Sequence, residues 1–261
     1  MKKIILTLVL ISVVFCGCWK TEDIVMTQYG IFESWHSATA SILNESVHPA
    51  FISNAWINGN DSVRRAIEDQ YFPNTRIRHE GGDEYGIYEG TSLLLLINTG
   101  GKAIDDTDAH WLITRYSNYT LSSEPAPSFF TSGRHTRLEL RHTGDNEWTV
   151  NLDSATCDGS TSDWILSAPG TETPVTLNDI PYTLSGGGIY LFDGTSFDGS
   201  YTYSPVTMRY TFSEPLLHKL ESRALFSAGI MDIILSKQDC DDKTVHVEFT
   251  PNGTNISRVG R

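Results

Sequence analysis

Apolar residues recur every three or four positions near the beginning of the chain. Between Ile24 and Leu43 they are Ile24, Ile31, Phe32, Trp35, Ala38 and Ile42. This spacing predicts an amphipathic helix with one apolar stripe. A second, shorter helix is predicted to begin at Asp61, whose side chain can cap its first turn, and to end before Pro73. Trp56 lies between the two segments, and we expect it to pack between the helices.

After the second helix the apolar period changes to two, which is typical of β-strands. The run Leu93–Ile97 is apolar on both faces and predicts a central strand. Alternating residues from Arg137 to Leu152, with a turn at 143–146, predict an antiparallel hairpin with one wet face. A further strand is predicted at 206–212, and a last hairpin at 230–249.

The tripeptide Ser213-Glu214-Pro215 combines a capping residue, an early acid and an early proline, which predicts a short helix ending near Leu225. No segment has the composition of a linker. The sequence therefore predicts one α+β domain in residues 24–261. Its short helical layer, residues 24–73, is followed by a large, mostly antiparallel sheet or sandwich in residues 74–261.

Composition places the chain among globular proteins. Of 261 residues, 39% are hydrophobic and 20% are charged, which excludes a disordered tail or a collagen-like repeat. The formal net charge is −13. Nucleic-acid affinity depends mainly on Lys and Arg side chains that neutralise phosphates, so this acidic balance argues against nucleic acid as a partner.

The first residues have the organisation of an export signal. Lys2 and Lys3 precede an apolar run from Ile4 to Phe15 that is too short to span a bilayer comfortably. The run leads through Gly17 directly into Cys18, an ending that resembles a bacterial lipoprotein signal. This resemblance implies that residues 1–17 are removed and that Cys18 carries palmitate-type acyl chains. An ordinary secreted protein cleaved nearby is the alternative.

Residues 18–23 would then form a tether to the membrane. Their sequence, Cys-Trp-Lys-Thr-Glu-Asp, resembles the short Lys-plus-acidic stretch that directs lipoproteins of the Bacteroidota to the outer face of the outer membrane. The resemblance implies a lipid-anchored protein of the outer membrane that is exposed on the cell surface; a plain tether is the alternative. An acidic body is repelled by an anionic membrane surface, so the acyl chains must supply the attachment.

Two cysteines remain in the body after removal of the signal and lipidation of Cys18. Cys157 and Cys240 both lie in acidic turn sequences, and neither resembles a buried core thiol. An exported compartment permits a disulfide, so we predict that they are joined, with two free thiols as the alternative.

Signatures of catalysis or metal binding are incomplete or absent. The acidic run Asp105–Asp108 lacks the glycine and the final acid of a calcium loop, so we interpret it as a solvated turn. The chain contains no Gly-x-Ser-x-Gly, no His-Glu-x-x-His and no phosphate-binding glycine loop. Asp232 is the one acid in an apolar strand, where it could be a buried general acid; we favour a wet face and a cross-strand partner such as Arg209. His246 is expected to be a surface or cross-strand residue. No cofactor and no metal is predicted.

Aromatic side chains are the remaining candidates for ligand binding. Trp111 and Trp164 each stand where an acidic loop meets a strand, while Tyr201 and Tyr203 follow an Asp-Gly-Ser turn. If the protein binds a glycan, we predict that these four rings protrude and stack on it, although for each ring taken alone a core position is the favoured interpretation. Trp148 alternates with Val150 and Leu152 and is predicted to be in the core.

These features together predict a non-catalytic binding module of the cell envelope for a glycan or a protein partner. A hydrolase with dispersed acidic residues and an adhesin or assembly subunit are the alternatives. Two close carboxyl groups in a cleft would favour hydrolysis, and an open apolar edge strand would favour assembly.

Overall fold

A computed structural model describes residues 21–116, 135–168, 177, 179–192, 205–219, 225–237 and 240–258, with side chains from residue 30 onward. The helical part comes first. Helix α1 spans Thr21–Ile42, a π-helical turn follows at Leu43–Val47, and α2 continues over His48–Asn58 without a break. Helix α3 spans Asp61–Tyr71.

Twelve strands follow the helices. They are β1 Arg76–Gly81, β2 Glu84–Glu89, β3 Ser92–Asn98, β4 His110–Tyr116, β5 His135–Gly144, β6 Glu147–Leu152, β7 Thr161–Ser167, β8 Tyr182–Phe192, β9 Val206–His218, β10 Ala228–Ser236, β11 Lys243–Thr250 and β12 Gly253–Arg258. Each pairs antiparallel with the next in one hydrogen-bonded sheet, with β1 and β12 at the edges. The prediction of an α+β fold with a large antiparallel sheet is confirmed.

The helical segment from α1 to α2 crosses one face of this sheet. Phe32 contacts Phe249 of β11, with ring centroids 6.0 Å apart. Near the other end of the segment, Phe51 meets Trp148 of β6 edge-on at 4.9 Å. Alternate strand residues that point toward the helices are buried, and this period-two burial forms one apolar core between helices and sheet. The core position predicted for Trp148 is confirmed.

Trp56 and the cap of α3 show how the helices join. The indole Nε1 of Trp56 donates to Glu68 Oε1 at 2.9 Å, and the Arg64 guanidinium lies over its ring at 4.9 Å. The predicted position of Trp56 between helices is therefore confirmed. The prediction that Asp61 caps α3 is wrong, because the side chain of Asn60 accepts from the backbone N–H groups of Ser62 and Val63.

The predicted helix after Ser213 is not formed. Strand β9 instead continues through Pro215 to His218. Pro215, which has no N–H, lies where β9 shifts register against both of its neighbours, β8 and β10. Against β8 the shift falls between the pairs Leu184↔Leu216 and Gly186↔Phe212. A proline can remain in an inner strand at such an irregularity because no ladder hydrogen bond is lost there.

The apolar run at Leu93–Ile97 is a strand, as predicted, but it lies third from the edge of the sheet. Leu95 and Ile97 are buried toward the helices. Leu94 occupies a register shift, because Ile87 pairs with Leu95 while Tyr88 pairs with Leu93. The local irregularity buries Leu94 next to Leu95, which explains the two successive buried residues in this run.

A buried ion pair fixes the π-helical turn to the sheet. Glu45 lies in this turn, and its carboxylate contacts the guanidinium of Arg115 on β4. The Arg115 residue is 4% exposed and Glu45 is 8% exposed. Ser41 donates a hydrogen bond to Glu45 Oε2 at 2.8 Å. This anchor holds the residues that immediately precede His48.

Candidate functional site

Five titratable side chains from different elements meet at one end of the helix–sheet interface. His48 is the first residue of α2, Tyr71 the last of α3, Tyr182 the first of β8 and His218 the last of β9, while Asp179 lies just before β8. We call these five residues the His–Tyr cluster. The β7–β8 and β9–β10 connections lie at the same end of the antiparallel sheet, which brings Asp179, Tyr182 and His218 together. Tyr71 joins them through its hydrogen bond to Asp179.

Tyr182 and His218 form the inner part of the cluster. They are directly opposite each other in the ladder between β8 and β9. Their rings stack with centroids 4.6 Å apart and an interplanar angle of 21°. The cross-strand pairing therefore fixes both the contact and its orientation.

The Tyr182 hydroxyl is buried without a hydrogen-bond partner among the described residues. The residue is 1% exposed. Burial raises the pKa of Tyr182 well above its ordinary value, so the phenol stays protonated and remains a donor. A buried polar group left unpaired costs about 1–3 kcal/mol, which makes this hydroxyl an unfavourable feature of the fold on its own.

The imidazole of His218 has a defined tautomer. Its Nδ1 lies 3.0 Å from the carbonyl oxygen of Leu225. A carbonyl only accepts, so Nδ1 carries the proton and the neutral ring has its lone pair on Nε2. Within the described part of the chain, Nε2 is buried and has no hydrogen-bond partner. An unpaired donor and an unpaired acceptor thus belong to two stacked rings.

His48 lies in the same environment and is neutral at pH 7. Burial lowers the pKa of His48 to about 4, the nearby Asp179 carboxylate acts against that effect, and His218 adds to it. His48 follows directly on the π-helical turn. Such turns occur frequently at functional sites.

The outer part of the cluster is open to solvent. Asp179 is exposed and Tyr71 is partly exposed. The Tyr71 hydroxyl donates to Asp179 and accepts from Gln70 Nε2 at 2.8 Å. Partial burial and the Asp179 charge raise the pKa of Tyr71. The cluster therefore includes both an exposed carboxylate and a buried hydroxyl.

The four predicted stacking rings do not form an exposed platform. Trp111 is 1% exposed and Trp164 is fully buried, so the prediction that these indoles protrude is wrong. The indole N–H of Trp111 donates to the Lys102 carbonyl and that of Trp164 to the Tyr210 hydroxyl, both at 3.0 Å. Tyr201 and Tyr203 lie outside the described residues.

Strand phase contains the signal that identifies both tryptophans as core residues. Trp111 alternates with Ile113, and Trp164 with Leu166, in the same way that Trp148 alternates with Val150. A residue two positions from a buried strand residue points to the same face. The nearby acidic loops therefore give the weaker indication of where these rings lie.

The predicted disulfide is also not formed. The structure does not join Cys157 to Cys240. The two residues lie in the β6–β7 and β10–β11 connections, four strands apart, which is about 19 Å along the sheet, whereas a disulfide needs Cα atoms within about 7 Å. Cys157 is fully buried, contrary to expectation, and its thiol lies 3.9 Å from the Arg137 carbonyl.

The acidic candidates have structural partners. Asp232 accepts from His246 Nδ1 at 2.8 Å and also from Ser213, so its expected cross-strand pairing is confirmed but the partner is His246 and not Arg209. These hydrogen bonds lower the pKa of Asp232. Asp105, Asp106 and Asp108 are exposed, and Asp106 Oδ2 accepts from the backbone of Ala103, as expected of a solvated turn.

The described residues contain no group of three or more His, Cys, Asp or Glu side chains placed to hold a metal ion. None of the helices described from residue 21 onward is both long and apolar enough to cross a membrane. Cys18 lies outside the described residues.

No protein family, curated protein or solved structure matches the chain. The His–Tyr cluster itself was not predicted from the sequence. Its members are separated by up to 170 positions, between His48 and His218. None of them stands in a recognisable motif, and only the pairing of β8 with β9 brings Tyr182 to His218.

Proposed function

We propose that the protein is an exported lipoprotein, anchored to the outer membrane through Cys18, that acts as a non-catalytic binding module with the His–Tyr cluster as its ligand site. One observation carries the assignment of the site. The Tyr182 hydroxyl is buried and lacks a hydrogen-bond partner among the described residues, although buried polar groups in proteins are nearly always paired. A bound ligand would supply the missing partner.

The arrangement of the unpaired atoms distinguishes this place from others. Thr39 Oγ1 and Ser53 Oγ are also buried without a partner in the described part of the chain. Each lies on the helical segment, within the helix–sheet core. Tyr182 and His218 are adjacent and stacked, and the exposed Asp179 and the partly exposed Tyr71 belong to the same cluster. Two adjacent groups with unused hydrogen-bonding capacity, close to solvent-exposed residues, favour a binding site here.

Binding is a better proposal than hydrolysis. Glycoside hydrolysis by dispersed acids needs two carboxyl groups about 5–10 Å apart on either side of the substrate. The cluster contains one carboxyl group, Asp179, and the Tyr71 hydroxyl donates to it. The edge strand β1 carries Arg76, Arg78 and Glu80, and charged edges oppose strand-to-strand assembly.

The anchor and the site can be tested separately. For the anchor, mass spectrometry of the mature N-terminus should find acyl chains on Cys18, and Cys18→Ala should move the protein from the membrane to the soluble fraction. Protease treatment of intact cells reports surface exposure. A Cys18→Ala protein that stays bound to the membrane would refute the anchor.

The site is tested with small polar compounds of three charge classes: neutral, anionic and cationic. A ligand of the cluster raises the melting temperature of the wild type more than that of Tyr182→Phe, because only the hydroxyl differs. Equal effects on both proteins for every compound would contradict the assignment of the site.

A further inference from the structure

We propose that the His–Tyr cluster binds a neutral, hydroxyl-bearing small molecule of the sugar or polyol class, one hydroxyl of which bridges the Tyr182 hydroxyl and Nε2 of His218. This inference rests on the proposed function, since it names the ligand class of the same site. The unpaired atoms and the charges around them define that class.

The hydrogen-bonding capacity of the two stacked rings comes first. The protonated Tyr182 phenol offers a donor, and Nε2 of His218 offers a lone pair. A ligand hydroxyl can accept from the first and donate to the second at the same time. A carboxylate only accepts and would leave Nε2 unpaired. An ammonium group only donates and would leave the Tyr182 proton unpaired.

The charges around the site argue against an anionic ligand. Asp179 stands exposed at the outer part of the cluster and disfavours an anion by like-charge repulsion. His48 is neutral at pH 7 because it is buried, so it does not offset that repulsion. A neutral ligand avoids both the repulsion of an anion and the unpaired donor that a cation would leave.

A matched series of compounds tests this inference on the full mature chain. D-glucose, D-galactose and D-mannose are the neutral probes, D-glucosamine is the cationic analogue, and D-gluconate is the anionic one. Sugars also stabilise proteins nonspecifically because they are excluded from the protein surface. The informative quantity is therefore the difference in response between the wild type and a variant, measured by thermal shift and by titration calorimetry.

Two tyrosine variants form a matched pair. Tyr182→Phe removes the unpaired hydroxyl and keeps the ring stacked on His218. Tyr190→Phe removes another buried tyrosine hydroxyl, which lies in β8 and is hydrogen-bonded to Ser34 at 2.5 Å. Without ligand, Tyr182→Phe should melt at or above the wild-type temperature, while Tyr190→Phe should melt below it.

In ligand binding the expected effects of the two variants are the opposite of those on stability. At least one neutral sugar should bind the wild type and Tyr190→Phe with similar affinity, and Tyr182→Phe should lose at least tenfold. Glucosamine and gluconate should each bind at least tenfold more weakly than the neutral sugar that binds best. These differences are the expected result.

Two other outcomes would overturn the inference. If a charged probe binds best and its binding depends on Tyr182, the ligand class is wrong, while the site of the proposed function stands. If no probe distinguishes the wild type from Tyr182→Phe, the two rings hold an internal water only, and both the ligand class and the site are wrong.

Discussion

Protonation of His48 should destabilise the protein between about pH 6.5 and pH 4. The ordinary pKa of 6.5 is lowered in the folded protein to about 4, chiefly by burial. Below pH 6.5 the unfolded chain therefore binds a proton at this residue that the folded chain does not bind. Stability linked to His48 is complete above pH 6.5 and falls as the pH is lowered toward 4.

The magnitude follows from the two pKa values. Each pH unit between them corresponds to about 1.4 kcal/mol, so the interval from 6.5 to about 4 amounts to roughly 3 kcal/mol. That is a large share of the roughly 5–15 kcal/mol by which domains are stable. Asp232, whose pKa is lowered from 3.8, loses its contribution only below this window.

Urea denaturation at constant ionic strength between pH 7 and pH 4 measures this effect. The wild type should lose roughly 3 kcal/mol through His48, and His48→Gln should remove most of that pH dependence. His36 is a matched control, because burial lowers its pKa as well and it lies on α1, away from the cluster. His36→Gln should keep the part of the pH dependence that is due to His48. The reasoning is refuted if His48→Gln and the wild type show the same dependence.

Three further predictions concern stability. Trp148→Ala should lower the free energy of unfolding by about 3–5 kcal/mol, because it empties a fully buried site against Phe51; a loss below 1 kcal/mol in urea denaturation would contradict its core position. A reducing agent should leave the melting temperature unchanged, because Cys157 and Cys240 are not joined, and a drop in melting temperature on reduction would indicate a disulfide between them. The Cys157 thiol should also react slowly with iodoacetamide at pH 8, because burial raises the pKa of Cys157 to about 12. Glu45→Gln should lower the free energy of unfolding by about 3–5 kcal/mol, because it leaves the buried Arg115 without this counter-charge. The double variant Glu45→Leu with Arg115→Met should lose less than Glu45→Gln, because it removes both charges. Additive losses in a double-mutant cycle would contradict the coupling of the two residues.

Local patterns were sufficient for the parts of the fold that depend on local contacts. The hairpin of β5 and β6 follows from period-two alternation on both sides of a turn at Thr143–Asn146, and its register pairs Leu140 with Val150. Helix α1 follows from its apolar stripe. In these elements the residues that specify the structure are close in sequence, so the pattern contains the information.

The errors arose where the outcome depends on distant residues. Ser213-Glu214-Pro215 has the local features of a helix start, yet β8 and β10 hold this segment in a strand. Residues 48–58 show no clear stripe because α2 is buried on much of its surface, with Pro49, Ser53 and Asn54 among its buried residues. Tertiary packing overrode propensity in both segments.

The candidate site could not be derived from the sequence for a related reason. A ligand site in this fold is built from the ends of elements, and the sheet order decides which ends meet. Tyr182 follows Pro181 at the first position of β8, and its pairing with His218 places its ring inside the protein. The chemistry of the cluster depends on that one cross-strand pair.

The composition of the cluster is itself an argument for a binding role. Among the described residues, the Tyr182 hydroxyl makes no hydrogen bond that phenylalanine at position 182 would remove. A neutral apolar residue at position 48 would likewise avoid the pH-dependent loss caused by His48. A buried hydroxyl without a partner among the described residues and a histidine whose protonation weakens the folded state below pH 6.5 therefore lie in one cluster, beside an exposed carboxylate. Unfavourable polar burial concentrated in one place is typical of sites where stability is exchanged for binding.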